Sequence, residues 1–259
     1  MDTQNRQTRI YAIAQQKGGV GKSTTTTNLG AALAEMGNRV LLVDLDPQGT
    51  LSIGFNLNPH ELDNTIYNAL IDPSVSLTEV VQNQKPSLDF VPANIDLSGA
   101  EVELLNEIGR ERILKDNLAS VEGDYDFVLV DCPPSLGLLT INALTAADNV
   151  LIPVQCQYYA LRGMQLLLRT IEKVKARSNP ELTIFGMLPT FFDMRTAHSK
   201  EVLEELKRVY KDLVIDIPIK VRVSLADAGA QGETILEYDP KSDVAEAYRD
   251  LAKEVVKNG

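Results

Sequence analysis

The sequence QKGGVGKST occupies residues 16–24, between an apolar stretch at 9–15 and a helical pattern at 22–36. Its glycines allow backbone N–H groups to curl around phosphate oxygens without a clash of Cβ atoms. The helix that follows adds the positive end of its dipole. Lys22 can reach the outer phosphates of a nucleotide, and the Ser23 hydroxyl can bind a magnesium ion. A glycine-rich turn that binds nothing is the alternative, but chance rarely produces this string. We therefore predict a phosphate-binding loop.

On both sides of this loop the chain alternates strand and helix patterns. Near-continuous apolar runs such as RVLLVD at 39–44 are typical of strands buried on both faces of a parallel sheet. The predicted strands are 9–15, 39–44, 88–92, 127–131, 150–154, 184–188 and 214–217. The predicted helices are 22–36, 98–119, 138–146, 159–177, 196–210 and 243–256. This rhythm predicts a three-layer αβα fold with a doubly wound, mostly parallel sheet, a P-loop NTPase in one domain over residues 1–259.

Composition narrows the function classes. The chain has 259 residues, of which 44 % are apolar, and a net charge of −11. Overall acidity disfavours binding to polyanions, although a local basic patch can still act at short range. No apolar run is long enough to span a bilayer, and the first residues lack the features of a signal peptide. Cys132 and Cys156 have no metal-site or disulfide-framework spacing. We therefore expect a cytoplasmic protein with reduced thiols.

Acidic residues follow two of the predicted strands. Asp44 and Asp46 stand at the end of the second strand pattern, and alternation along a strand places them on one side. Carboxyl ends of parallel strands face the crevice where ligands bind in this architecture. One carboxylate can orient an attacking water and the other can hold a metal-bound water, whereas a polar turn with an Asp cap is the alternative. Asp131 ends the strand FVLVD, the arrangement that holds Mg²⁺ in Walker B motifs.

The phosphate loop departs from the common pattern G-x-x-x-x-G-K-[ST] at its first position. Gln16 stands where that pattern has glycine, and an extra lysine, Lys17, precedes the first glycine of the loop. A lysine inside a phosphate cradle is difficult to explain as a solvated surface charge. The loop is therefore of the deviant type, KGGxGK[ST].

The motifs KGGVGKST, DLDPQG and VDCPPS, in this order, resemble the ParA/Soj branch of the ParA–MinD ATPases. The similarity runs over almost the whole chain, including FFDMRT at 191–196, IPIKVR at 217–222 and the ending YDPKSDVAEAYRDLAKEV. It implies ATP and Mg²⁺ as cofactors. The residues implied to bind ATP are Lys17, Gly18, Gly19, Val20, Gly21, Lys22, Ser23, Thr24 and Pro218.

The same resemblance implies roles in catalysis and metal binding. Lys17 would reach across an ATP-sandwich homodimer to the phosphates bound by the other subunit, and Lys22 would hold phosphates within its own subunit. Asp46 matches the residue that positions the hydrolytic water. The residues implied to organise the magnesium site are Ser23, Asp44 and Asp131.

Members of this family bind DNA without sequence preference as ATP dimers. The resemblance places that contact at Arg195, Lys220 and Arg222, where each cation adds a phosphate contact and dimerisation doubles the number. The family usually reads PRNVR where this chain has PIKVR at 218–222, so its adenine contacts and DNA footprint are expected to differ. Lysines on the predicted helix 196–210 alternate with glutamates and are explained equally well as a solvated face. The resemblance also implies a ParB-like or other basic adaptor that stimulates weak hydrolysis, which suits the acidic chain, and association with the nucleoid.

Three other functions fit the sequence less well than a partitioning ATPase. A MinD-like membrane-cycling ATPase needs an amphipathic C-terminal helix with basic flanks, whereas the tail here has nearly balanced charge, so no stable membrane association is expected. A metabolic ligase of the dethiobiotin synthetase type is disfavoured by Lys17 together with DLDPQG. Iron–sulfur and other metal centres are disfavoured because the cysteines, and the histidines His60 and His198, lack ligand spacing. GTP is less favoured than ATP because no NKxD motif occurs.

Overall fold

A computed structural model describes residues 7–157 and 160–258 of the chain. Over these residues the strands are β1 (Arg9–Ile13), β2 (Val40–Asp44), β3 (Gln82–Lys85), β4 (Leu88–Val91), β5 (Phe127–Asp131), β6 (Asn149–Gln155) and β7 (Thr183–Thr190). They form a seven-stranded sheet in the order β3-β4-β2-β5-β1-β6-β7. Every neighbouring pair is parallel except β3 and β4. The prediction of a mostly parallel sheet is confirmed.

Helices cover both faces of this sheet. In the described residues they are α1 (Lys22–Glu35), α2 (Thr50–Ile53), α3 (Ile66–Ile71), α4 (Leu77–Val80), α5 (Leu97–Glu103), α6 (Ile113–Leu118), α7 (Leu138–Ala146), α8 (Ala160–Arg177), α9 (Ala197–Tyr210), α10 (Val223–Ala230), α11 (Ile235–Tyr238) and α12 (Asp243–Asn258). Side chains alternate along the buried strands: Leu41 and Val43 pack with α3 to α9, whereas Val40 and Leu42 pack with α1 and α10 to α12. The predicted three-layer α/β class is therefore confirmed.

The predicted strand at 214–217 is wrong. Only Val214 bridges to Met187, and the N–H of Ile215 donates to the Met187 carbonyl at 2.9 Å. A short 3₁₀ turn, Lys211–Leu213, precedes this segment, and Pro218 follows it without an N–H to continue a ladder. A short apolar run of this kind therefore packs on the edge of β7 without becoming a strand.

The predicted helix at 98–119 is also interrupted. The structure has α5, a 3₁₀ turn at Leu104–Asn106, and then α6. Gly109 lies between them with φ of 71°, a left-handed conformation that ends helices. The polar edge strand β3 and the helix α10 were not predicted from the sequence. The predicted start of the α8 helix, Tyr159, lies outside the described residues.

None of the helices in the described ranges is both long and apolar enough to cross a membrane.

Candidate nucleotide site

The phosphate loop lies at the carboxyl edge of the sheet, after strand β1, which lies between β5 and β6. Gly21 of this loop has φ of 87° and immediately precedes α1, and no side chain caps the first N–H groups of that helix. Helix N-termini without caps leave several backbone donors to be satisfied. A loop of small residues in front of these donors therefore forms an anion site that is open to phosphate.

Asp131 is fully buried beside this loop, at the end of β5. Its Oδ1 accepts a hydrogen bond from the Thr26 hydroxyl at 3.3 Å, whereas Oδ2 is buried without a hydrogen-bond partner in the described structure. Burial raises the pKa of Asp131 to about 7, and the nearby Ser23 hydroxyl and Lys22 ammonium partly offset this effect. A cation that approaches the unpaired oxygen would stabilise the charged form of this carboxylate.

The donor set at this position suits magnesium. Ser23 and Asp131 supply hard oxygen ligands, and Mg²⁺ commonly takes one or two protein ligands together with water and substrate phosphates. No group of three or more His, Cys, Asp or Glu side chains arranged to hold a metal occurs in the described part of the chain. The residues present therefore fit a magnesium ion that arrives with a nucleotide, rather than a self-sufficient metal centre.

Asp44 and Asp46 lie on the neighbouring strand end, as the sequence predicts. Asp44 is paired with Asp131 across β2 and β5, and the charge of Asp46 affects both carboxyl groups. Asp44 Oδ1 accepts the N–H of Asp46 at 3.0 Å, and its Oδ2 accepts both the N–H and the hydroxyl of Ser52, each at 3.2 Å. Burial, followed by the charge of Asp131, raises the pKa of Asp44 well above its ordinary value. Asp44 thus anchors the loop that holds Asp46 at the crevice.

Two lysines flank the phosphate loop on different sides. Lys22 is 7 % exposed and interacts with Asp131. Lys17 instead donates from Nζ to Oε1 of Gln155, at the end of β6, over 2.7 Å. It lines a cleft of about 500 Å³ that also contains Pro134. The two lysines therefore have distinct surroundings, one buried inside the site and one at its outer wall.

A second cleft, of about 140 Å³, adjoins the end of the phosphate loop, and Lys17 is not among its lining residues. Its lining includes Gly21, Thr24, Phe191, Val221, Leu225 and Tyr248. Pro218, predicted as an adenine contact, is not among the lining residues. The next residue, Ile219, turns into the core at 3 % exposure, and its N–H donates to the carbonyl of Pro189 at 2.8 Å. The wall of this cleft comes from 219–222 and from α10, the helix that the sequence analysis missed.

The predicted DNA-binding cations lie on one surface, and each forms an ion pair. Arg222 donates to Asp243 through Nε at 3.0 Å and Nη2 at 2.7 Å, and Lys220 donates to the same carboxylate at 2.9 Å. Arg195 forms a similar two-bond pair with Asp193 at 3.0 and 2.9 Å. The guanidinium groups lower the pKa of both carboxyls. Arg195, Lys220 and Arg222, hereafter the basic cluster, are therefore partly neutralised within the chain.

A family model described as an AAA domain matches residues 8–184. The sporulation initiation inhibitor protein Soj of Bacillus subtilis is 48 % identical over 97 % of this chain and 99 % of its own length. The chromosome partitioning protein ParA of Caulobacter vibrioides is 44 % identical, covering 96 % of this chain and 94 % of its own.

One solved structure adds a ligand-bound comparison. It is described as cobyrinic acid a,c-diamide synthase from Mycobacterium smegmatis with bound ATP analogue and magnesium. The structures agree with a TM-score of 0.87 at 43 % identity, over 96 % of this chain and 95 % of that one. The predicted family resemblance is confirmed by the relatives together.

Proposed function

The chain belongs to the ParA/Soj family of partitioning ATPases, and from this membership we propose that it is a positioning ATPase whose ATP-bound dimer attaches to DNA. The observation that carries the proposal is the deviant loop itself, with Lys22 buried inside the site and Lys17 at its outer wall. ATP and Mg²⁺ are its cofactors, in agreement with the ATP analogue and magnesium in the Mycobacterium smegmatis protein. Hydrolysis then serves as a switch, and a partner protein stimulates it.

Each residue of the site takes a role that its surroundings support. The N–H groups at the start of α1 and the Lys22 ammonium bind phosphate oxygens, because both are positive and the helix end is uncapped. Ser23 and Asp131 would hold the magnesium ion, which neutralises phosphate charge when bound. Asp46, held by Asp44, orients the attacking water and accepts its proton. The adenine base of the nucleotide lies against the apolar wall of the 140 Å³ cleft, beside Val221 and Leu225.

Lys17 is proposed to act on the nucleotide of a second copy. Its side chain lies on the β6 side of the loop, bonded to Gln155, rather than beside Asp131. A cation at the outer wall is well placed to meet phosphates presented by a facing subunit, where it would stabilise charge that develops during transfer. The closed dimer also brings two copies of the basic cluster together.

We predict that Arg222→Ala weakens DNA retention, and because Arg222 also lines the 140 Å³ cleft, retention is compared at saturating ATP. The basic cluster would bind phosphates, and losing one cation per protomer removes about two contacts from a dimer. The salt dependence, d log K/d log[salt], should therefore become shallower by about two units. This slope is obtained by measuring binding to duplex DNA of arbitrary sequence, with ATP and Mg²⁺, over a series of salt concentrations. Retention by the unaltered protein that responds to neither ATP nor salt would contradict the DNA-binding function.

Asp243→Asn is predicted to have the opposite effect, because it frees Lys220 and Arg222 from their shared carboxylate. DNA affinity should rise about fivefold with ATP and Mg²⁺, because the dimer carries the freed cations of two protomers. Asp216→Asn is the matched control: it makes the same charge change and frees Lys207, whose Nζ lies 2.6 Å from Asp216 Oδ1 on an exposed surface outside the cluster. Equal gains for the two variants would show that net charge alone is responsible.

Two other functions can be separated from this one. A MinD-like membrane cycle would need the apolar face of α12, but Tyr248, Leu251 and Val255 are buried against α1 and the sheet. Sedimentation with anionic liposomes should therefore leave the protein in the supernatant. An amide ligase is suggested by the name of the Mycobacterium smegmatis protein. ATP hydrolysis that proceeds with DNA and partner but without any carboxylic acid substrate would favour the partitioning function over a ligase.

A further inference from the structure

The segment that follows β4 exposes more apolar surface than a surface helix needs. Leu97 and Leu104 are buried and bind α5 to the core. On the outer side Val102 is 68 % exposed, Leu105 is 53 % exposed and Ile108 is fully exposed. Val102 lies on α5, Leu105 on the 3₁₀ turn that follows it and Ile108 in the loop before α6. Exposed apolar residues grouped in this way mark interaction sites.

A cleft of about 380 Å³ lies beside Ile108, between α3 and α6. Its apolar walls include Ile71, Ile108 and Ile113. Three carboxylates, those of Glu103, Glu107 and Asp116, also line it. Glu103 is oriented by the Tyr67 hydroxyl, which donates to it at 3.0 Å. The cleft and the exposed residues Val102, Leu105 and Ile108 are hereafter called the acidic groove.

Charge identifies the occupant of the acidic groove. The charged residues that line the cleft are all acidic, although Arg112 and Lys115 lie nearby in the sequence, and the Arg110 guanidinium donates to the carbonyl of Leu105. Carboxylates around the groove would repel phosphates of nucleic acid or lipid, and would also repel the same surface of a second copy. We propose that the acidic groove docks a basic amphipathic helix of the partner that stimulates hydrolysis, an inference that rests on the proposed function. An apolar anchor fills the cleft, and lysines or arginines meet the carboxylates.

A short series of contacts leads from the acidic groove to the nucleotide site. Glu101, on the same helix α5, accepts the N–H of Leu139 at 3.2 Å and so caps the start of α7. A Cβ at Gly137 would collide with this carboxylate, so the Glu101 side chain lies directly against the Gly137 backbone. Residues 132–137 connect α7 to Asp131, and Pro134 lies against Gly18 of the phosphate loop. Movement of α5 on docking would therefore reach the loop that holds the phosphates.

The test uses a synthetic helical peptide with leucines at i, i+3, i+4 and i+7 and lysines on its other face, labelled for fluorescence anisotropy. The protein should bind it, and a version of the peptide with glutamate in place of lysine should not bind. Ile108→Asp should weaken binding about fivefold or more, because an apolar anchor site is lost. Val209→Asp is the control: it replaces an exposed aliphatic residue on α9 with the same charge. An added negative charge alone would strengthen binding of a basic peptide. Equal binding by the two variants would therefore contradict the proposal that the peptide docks in the acidic groove.

Hydrolysis measurements separate this inference from the function on which it rests. The peptide should stimulate ATP hydrolysis by the unaltered protein, and Glu101→Ala should still bind the peptide but lose the stimulation. Stimulation retained in Glu101→Ala would overturn the role of that carboxylate, and failure to stimulate the unaltered protein would overturn the activating role of the groove. Basal ATP hydrolysis and DNA retention should be unchanged in Ile108→Asp. If both are absent from the unaltered protein, the proposed function fails, whatever the peptide does.

Discussion

Replacing Asp46 by alanine is expected to lower the rate of ATP hydrolysis about 100-fold or more, because positioned general bases typically contribute factors of this size. ATP binding should persist, since the uncapped start of α1 and Lys22 do not depend on Asp46. The backbone N–H of Asp46 bonds to Asp44, so the loop keeps its main anchor when the Asp46 side chain is removed. The variant should therefore accumulate as an ATP-bound dimer that stays on DNA.

The measurements are single-turnover hydrolysis and nucleotide binding on the same preparation. Asp46→Asn is a useful companion, because it keeps the shape and the hydrogen bond to the Gln48 N–H while removing the base. It should be as slow as the alanine variant. Asp212→Ala, on the exposed turn after α9, controls for loss of one negative charge and should turn over normally. Normal turnover in Asp46→Ala would remove Asp46 from the catalytic role.

Lys22→Ala is expected to weaken ATP binding about 10- to 100-fold, the range expected for losing charge-assisted hydrogen bonds in a site shielded from water. Lys22 is 7 % exposed and also partly compensates the buried charge of Asp131. Its loss therefore removes a phosphate ligand and also removes a positive charge that compensates the buried carboxylate of Asp131. Titration with a fluorescent ATP analogue in the presence of Mg²⁺ measures the effect.

Lys17→Ala is the informative comparison for that experiment. Its Nζ bonds to Gln155 outside the phosphate loop, so a single subunit should bind ATP nearly as well without it. Dimer-dependent hydrolysis should be lost instead, because the proposed target of Lys17 is the nucleotide of the facing subunit. Matching losses of ATP affinity in the two variants would contradict the separate roles of these lysines.

The sequence was informative where function depends on short local segments. The phosphate loop, Asp131 and the Asp44–Asp46 pair come together because strands β1, β2 and β5 are neighbours whose carboxyl ends share one edge. Contacts between distant segments could not be foreseen in this way. Nothing in the order of residues indicates that Asp243 binds Lys220 and Arg222, or that Glu101 caps α7.

Pro218 illustrates a different limit of sequence reasoning. The sequence predicts a nucleotide contact at Pro218, but the cleft beside the phosphate loop is lined from Ile219 onward, because the direction in which each side chain turns depends on the backbone bonds of Ile219 to the edge of β7. The unexpected α10 then supplies Leu225 to the cleft. Similarly, the apolar run at 214–217 has the composition of a strand, and only the surrounding turn and proline prevent it from pairing as one.

The packing of α12 on α1 has a consequence for synthesis of the protein on the ribosome. The helix that carries Lys22 emerges early, yet Leu29 and Leu33 on its apolar side share a buried cluster with Leu251 and Val255, made near the end. Arg9 of β1 likewise donates to the carbonyls of Val255 and Val256 at 3.3 Å. Contacts of such long sequence separation form late. Tyr248 of α12 also lines the cleft beside the phosphate loop, so a nascent chain is expected to complete that cleft only after α12 has been made.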